Sequence, residues 1–70
     1  MIKRGILKAF DSGTYLATVQ LTGSLLTQLH DIPVSRGIPT DEMITGRSVI
    51  LYFTTPGDPA SAVVIAVWTL

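Results

Sequence analysis

The sequence contains no cysteine, and its only histidine among 70 residues is His30. Disulfides are therefore excluded, and so are metal sites built on thiolates or on several imidazoles. A core of this size supplies only about 3–5 kcal/mol, and small domains usually add disulfides, a metal or a partner subunit. Association with further chains is the remaining route to stability, so the composition predicts a homo-oligomer.

Charge is also scarce. Five basic and five acidic residues give a net charge of zero, and charged residues make up 14% of the chain against 47% hydrophobic residues. A chain this poor in charge has little material with which to cover its own surface. With no net charge, no long-range field draws it to nucleic acid or to anionic lipid, so neither partner is favoured.

Long apolar runs are missing as well. A membrane-spanning helix needs about 20 consecutive apolar residues, and residues 60–70 provide about half of that. The start, MIKRGILKAF, has basic residues but neither the apolar stretch nor the cleavage site of a signal peptide. The sequence predicts a cytoplasmic protein or a component of a particle, without a transmembrane segment. It contains no asparagine and only two glutamines, which favours a thermostable protein.

Turn-forming residues are regularly spaced along the chain, at 11–13, 22–24, 38–41, 45–46 and 55–59. Short strands separated by such turns are typical of small all-β sandwiches and barrels. We therefore expect one domain over residues 1–70. Its predicted fold is a small five-stranded barrel, OB-like or SH3-like, with one short helical turn before strand 4.

Residues 2–10 and 14–21 are predicted to form a hairpin. Gly5 interrupts the first strand, where a barrel strand often bends or bulges. Between the strands, Asp11 is expected to bond its own backbone and Gly13 to adopt a positive φ. The second strand alternates with period 2, and four of its residues share one face: Tyr15, Ala17, Val19 and Leu21.

Residues 24–36 allow two interpretations. Helical spacing relates Leu25, Leu26, Leu29 and Ile32, and Ser24 is a candidate N-cap, but Pro33 stops a helix from continuing. A strand ending near residues 32–36, at a sheet edge where proline is tolerated, is favoured by the β-rich surroundings. The helical turn is placed at residues 39–43, with Thr40 as its cap and Asp41 and Glu42 at its positive end.

The last third predicts two strands, residues 47–53 and 61–68. The first directs Val49, Leu51 and Phe53 to the core. The second is apolar on both faces, which is typical of a strand buried on both sides. We expect one face to meet the core (Ala62, Val64, Ala66, Trp68) and the other to meet another chain (Val63, Ile65, Val67). The predicted oligomer interface consists of Val63, Ile65, Val67, Ile50 and Tyr52.

No arrangement of residues predicts catalysis. His30 and Asp31 are adjacent, so on a regular strand they point to opposite faces and cannot form a dyad. The chain has no nucleophile elbow, Walker loop, dinucleotide-binding glycine motif or paired metal ligands. We therefore predict a non-enzyme with no catalytic residue, no metal and no cofactor.

A single-stranded nucleic-acid-binding barrel is the alternative function. Such barrels combine a basic groove with exposed aromatic rings. The candidate rings are Tyr15 and Tyr52, and the candidate phosphate contacts are Lys3, Arg4, Lys8, Arg36 and Arg47. The basic residues are few, so the aromatic residues are better interpreted as core or interface.

The order of the elements resembles a known family. The chain is similar to the small OB-type barrel of phage baseplate and type VI secretion spike proteins. The similarity rests on the hairpin GILKAF-DSGTYLATVQLTG, a strand near IPVS, and the segments TGRSVILYF and TPGDPASAVVIAVW. Corresponding positions are Gly46, Val49, Leu51, Phe53, Gly57, Asp58, Pro59, Val63, Val64 and Ala66. Ala66 replaces a usual glycine, Arg47 follows Gly46 where the family often has an acid, and these 70 residues include no β-helical needle.

The resemblance implies a non-enzymatic structural module, commonly trimeric, that works in a virion or virion-like particle. Only the barrel module carries over. The predicted function is accordingly a structural, self-associating subunit, a trimer or larger, with other virion or particle proteins as further partners.

Overall fold

The structure is a computed structural model that describes residues 1–22 and 28–69. Its regular elements are strands and two 3₁₀ turns, and no α-helix occurs in the described ranges. The all-β prediction is confirmed. The strands are β1 (Ile2–Asp11), β2 (Leu16–Leu21), β3 (Gln28–Pro33), β4 (Ser48–Phe53) and β5 (Ala62–Trp68), and the 3₁₀ turns are Thr40–Glu42 and Pro59–Ser61.

The five strands form one sheet in the order β3-β2-β1-β4-β5, and every neighbouring pair is antiparallel. β3 and β5 are the edges. One parallel bridge, Val34–Val64, connects β5 to the residues after β3, and the Ser35 N–H donates to the Val64 carbonyl at 2.9 Å. A single bridge does not close the sheet, so the predicted barrel is not confirmed.

The hydrophobic core lies on one side of this sheet. Its largest fully buried side chains come from four strands: Leu7, Val19, Val49, Leu51 and Val64. In β2 and β4 every second residue points to the core, as the period-2 patterns predicted. The residues concerned are Ala17 and Val19 in β2, flanked by the partly buried Tyr15 and Leu21, and Val49, Leu51 and Phe53 in β4.

Gly5 lies where two strands crowd β1. It is paired with a residue of β2 on one side and of β4 on the other, so the predicted bulge is not at Gly5. A Cβ at this position would lie 2.5 Å from Val19 Cγ1 and 2.9 Å from the Gln20 carbonyl oxygen. The bulge of β1 is at Lys8 instead, where the register with β2 shifts.

The β1–β2 turn is built around Asp11 and Tyr15. The Gly13 N–H donates to Asp11 Oδ1 at 2.8 Å, which confirms the predicted side-chain bond of Asp11. The positive φ, however, belongs to Tyr15 at 56° and not to Gly13. The Tyr15 hydroxyl donates to the Ile38 carbonyl at 2.7 Å, and its ring meets Phe10 edge-on at 5.3 Å. These contacts hold the uncommon backbone conformation, and β2 begins only after it.

The strand interpretation of the middle segment is confirmed for Gln28–Pro33, and Pro33 lies exposed on this edge strand. The part of the helical alternative that rests on residues 24–27 lies outside the described residues. β3 is irregular at its centre, where Asp31 has a φ of 55°. There two residues, His30 and Asp31, stand opposite Thr18 of β2.

The predicted turn before β4 is present as the 3₁₀ turn Thr40–Glu42, with Asp41 and Glu42 in it. Thr40 is not its cap. Pro39 occupies the N-cap position with an extended backbone, and no side chain caps the turn. Proline has no side-chain oxygen, so it accepts no hydrogen bond from the first N–H groups of the turn.

Candidate functional site

The candidate site is the side of β1, β4 and β5 that points away from the core, here called the outer face. The strand register places its members next to one another. Ile2 and Val63 flank Tyr52, and Arg4 and Ala66 flank Ile50. The outer face comprises Ile2, Arg4, Ile50, Tyr52, Val63, Ile65, Ala66 and Trp68.

A bulge at Ile65 determines which residues of β5 belong to this face. Leu51 is opposite Val64 and Ile50 is opposite Ala66, so Ile65 is an extra residue in β5. An extra residue reverses the inward–outward alternation beyond it. The strict alternation predicted for residues 61–68 is therefore wrong after Ile65.

Val67 is the residue most affected by the reversal. It is opposite the fully buried Val49 and packs against the core, so it does not share a face with Val63 and Ile65. Ala66 and Trp68, which were expected in the core, take the outer positions instead. Of the five predicted interface residues, the structure brings together Val63, Ile65, Ile50 and Tyr52.

The outer face is apolar and accessible. Ile2 is 62% exposed, Ile65 45% and Tyr52 42%, and these are three of the five large hydrophobic side chains that are exposed in the described residues. Arg4 is the one charged member of the face as defined. Side chains of this kind on neighbouring strands can pack against another apolar surface.

The five basic side chains proposed for nucleic acid do not form one strip. Lys3 and Arg4 are neighbours on β1 and stand opposite residues of different faces of β4. Lys8 lies in the β1 bulge. The Arg36 guanidinium lies over the Tyr15 ring, 5.1 Å from its centroid. Arg47 Nη1 donates to Glu42 Oε2 at 2.8 Å.

His30 and Asp31 were expected on opposite faces of a regular strand. In the structure both are exposed within the β3 irregularity, so the alternation on which that expectation rested does not hold there. His30 Nδ1 lies 3.5 Å from Thr18 Oγ1, which is at the outer limit of a hydrogen bond. No third group of catalytic type joins them in the described contacts.

Sequence reasoning missed one feature next to the outer face. A groove of about 520 Å³ runs beside the β1–β4 pair at the Ser48 end, and Ser48, Arg4 and Arg47 line it together with apolar residues. Nothing in the pattern could have indicated it. Ser48 occupies an outward position of an alternating strand, where a serine normally faces solvent, but here it is only 6% exposed.

In the described ranges no helix has the length and apolar character to cross a membrane. The chain matches no protein-family model, no curated protein and no solved structure.

Proposed function

We propose that the protein is a non-enzymatic structural subunit that associates with copies of itself through the outer face. The observation that carries the proposal is the cluster formed by Ile2, Tyr52, Val63 and Ile65 on three adjacent strands. A second copy is the fitting occupant because the chain has few charges, a small core and no disulfide, and apolar burial is what such a domain lacks.

The size of the outer face limits how tightly it binds. Three strands about 4.8 Å apart, each with about six residues rising about 3.3 Å, cover roughly 300 Å² in projection. A stable interface of standard size buries about 800 Å² on each partner. The outer face alone therefore supports concentration-dependent association, and a tighter assembly needs more apolar area than these three strands present.

A five-stranded OB-type module of phage baseplate or type VI spike type remains our proposal for the origin of the domain. It is supported by the strand order β3-β2-β1-β4-β5 and by the Val34–Val64 bridge between the two edges, since OB-folds are partly open five-stranded barrels. In that setting the assembly is a trimer or larger, and other particle proteins are its further partners.

Single-stranded nucleic-acid binding remains the alternative, and no contact favours it. Arg36 is stacked on Tyr15 and Arg47 is paired with Glu42, which leaves fewer free cations on any one surface. Binding of this kind weakens steeply with salt. Titration of a labelled oligonucleotide at low ionic strength separates the two functions, because self-association needs no added ligand.

The substitution Ile65→Asp tests the leading proposal. Ile65 is 45% exposed in the β5 bulge, so a carboxylate there is solvated in the single chain but buried when two outer faces meet. We expect the variant to keep the fold, seen by circular dichroism, and to lose the oligomer, seen by native mass spectrometry. Ile44→Asp is the matched control, an equally exposed isoleucine outside β5. If wild type and Ile65→Asp have the same mass at every concentration, the proposal is wrong.

A further inference from the structure

The groove next to the outer face is an open depression of the surface that has room for a small ligand. It lies between the start of β4 and the segment that precedes it. The Gly46 N–H donates to the Leu7 carbonyl at 2.8 Å and the Leu7 N–H donates to the Arg47 carbonyl at 2.9 Å, so this segment is fixed to β1. Its volume of about 520 Å³ is within the range of roughly 300–1,000 Å³ that small-molecule sites occupy.

Ser48 is the polar group at the base of the groove. It is flanked by Ile6 of β1 and Trp68 of β5, and it is 94% buried, since only 6% of its surface is exposed. It is the one polar residue among the buried side chains of the described chain. Its hydroxyl makes no hydrogen bond with any described residue. No buried side-chain oxygen or nitrogen of the described residues lacks a partner, so the Ser48 oxygen itself still reaches solvent in the groove. There it can bond water or the polar group of a ligand.

Two arginines supply the charge of the groove. Arg4 is exposed and makes no ion pair in the described structure, so its guanidinium is available. Arg47 shares its Nη1 between the Glu42 carboxylate at 2.8 Å and the Glu42 carbonyl at 3.0 Å, which leaves Nε and Nη2 without a bond to any described residue. With Glu42 included, the groove carries one net positive charge.

The remaining walls are mixed, since Thr45, Gly46 and Thr69 line the groove together with two isoleucines. Ile6 and Ile44 line the groove, and Ile44 is 50% exposed although it is a large hydrophobic residue. A ligand that satisfies all of these groups has an anionic head, to pair with guanidinium groups, and a short apolar body. We propose that this groove binds a small amphipathic anion, such as a carboxylate with a medium-length aliphatic chain. The groove borders the outer face and shares Arg4 with it, so self-association and ligand binding are separated by experiment.

Octanoate is the probe that tests the proposal. Titrated into the ¹⁵N-labelled protein, it should shift the amide signals of Ile6, Ser48 and Arg47 in a saturable way. Inorganic phosphate provides the anion alone and 1-hexanol provides the apolar chain alone, and each should bind more weakly than octanoate. Phosphate binding as tightly as octanoate would show that the apolar walls contribute nothing and would overturn the proposed ligand class.

Substitutions that change the charge of the groove test whether the arginines contribute to octanoate affinity. Arg4→Gln should weaken octanoate binding by roughly threefold to tenfold, as expected for loss of a charge-assisted hydrogen bond at a partly exposed position. Glu42→Gln should strengthen it, because it frees the Arg47 guanidinium. Lys8→Gln removes an equal charge from the β1 bulge, outside the groove, and should change nothing.

Ser48→Ala should weaken binding without unfolding the chain, since it removes only a hydroxyl that has no partner in the protein. If octanoate shifts no groove signal, or if Lys8→Gln weakens binding as much as Arg4→Gln does, the proposed site is wrong. Measuring the same titration on Ile65→Asp keeps the two proposals separate. Loss of the oligomer with octanoate binding retained supports the groove, and loss of both contradicts a binding site formed by the single chain.

Discussion

Gly5 is a position where the sheet leaves no room for a side chain. A Cβ would meet Val19 Cγ1 at 2.5 Å and the Gln20 carbonyl oxygen at 2.9 Å, and the carbonyl belongs to a paired backbone that cannot easily move. The sequence showed that a glycine interrupts a strand, but a bulge and a close approach both require glycine. Only the register of β1 with β2 distinguishes them.

Gly5→Ala is therefore expected to destabilise the protein. Overpacking of this kind costs about 1–3 kcal/mol, a large part of the stability of so small a domain. Gly37→Ala is the control, because a Cβ there would meet only Ser35 Oγ at 3.7 Å. Urea unfolding of both variants checks the prediction, and a Gly5→Ala variant as stable as wild type would contradict the observed β1–β2 register.

Ser61 is the second residue whose identity the structure explains. Its hydroxyl accepts from the Thr55 N–H at 3.0 Å and lies 2.8 Å from the Asp58 carbonyl, so it ties the β4–β5 loop together. Ser61→Ala should cost about 1 kcal/mol, the usual net value of such a bond. Ser12→Ala, at an exposed turn position with no such bonds, should be neutral in the same thermal unfolding experiment. Equal unfolding temperatures for Ser61→Ala and Ser12→Ala would show that the hydrogen bonds of Ser61 contribute nothing to stability.

At the scale of the elements, three strand irregularities determine on which face of the sheet the following side chains lie. They lie at Lys8 in β1, at His30–Asp31 in β3 and at Ile65 in β5. Regular alternation was sufficient to predict the core residues of β2 and β4, because neither strand contains an extra residue. It failed in β5, since a run of valine, isoleucine and alanine looks the same with or without a shift of one position.

The residues of the outer face could likewise be predicted from the sequence only as far as the β5 bulge. Ile50, Tyr52, Val63 and Ile65 lie before or at the β5 bulge, and all four are on the outer face. Val67 lies beyond the bulge and packs on the core. The groove around Ser48 was not predictable, because it arises from the backbone bonds between Leu7 and residues 46–47, which no local pattern encodes.

The β5 bulge makes a testable distinction between two neighbouring residues. Val67→Asp should unfold the chain, because it places a carboxylate against the core, where an unpaired charge costs more than the domain can offset. Ile65→Asp, two residues earlier, should remain folded. Circular dichroism and thermal melting of the two variants decide this. If both unfold, or if both stay folded, the alternation across Ile65 is not reversed.

For the whole molecule, the central feature is the contrast between the two sides of the sheet. One side holds the core, and the other displays isoleucine, valine and tyrosine to solvent on three adjacent strands. A net charge of zero gives the surface little electrostatic repulsion to keep copies apart. We therefore predict that the isolated chain of 7.5 kDa is not the working unit.

Dilution of the wild-type protein, followed by NMR, tests this claim most directly. Between millimolar and low micromolar concentration, the signals of Ile50, Tyr52, Val63 and Ile65 should shift, while those of β2 should stay in place. Sedimentation on the same samples should show a mass that falls with dilution. A mass of one chain throughout, with no signal of the outer face changing, would contradict the account.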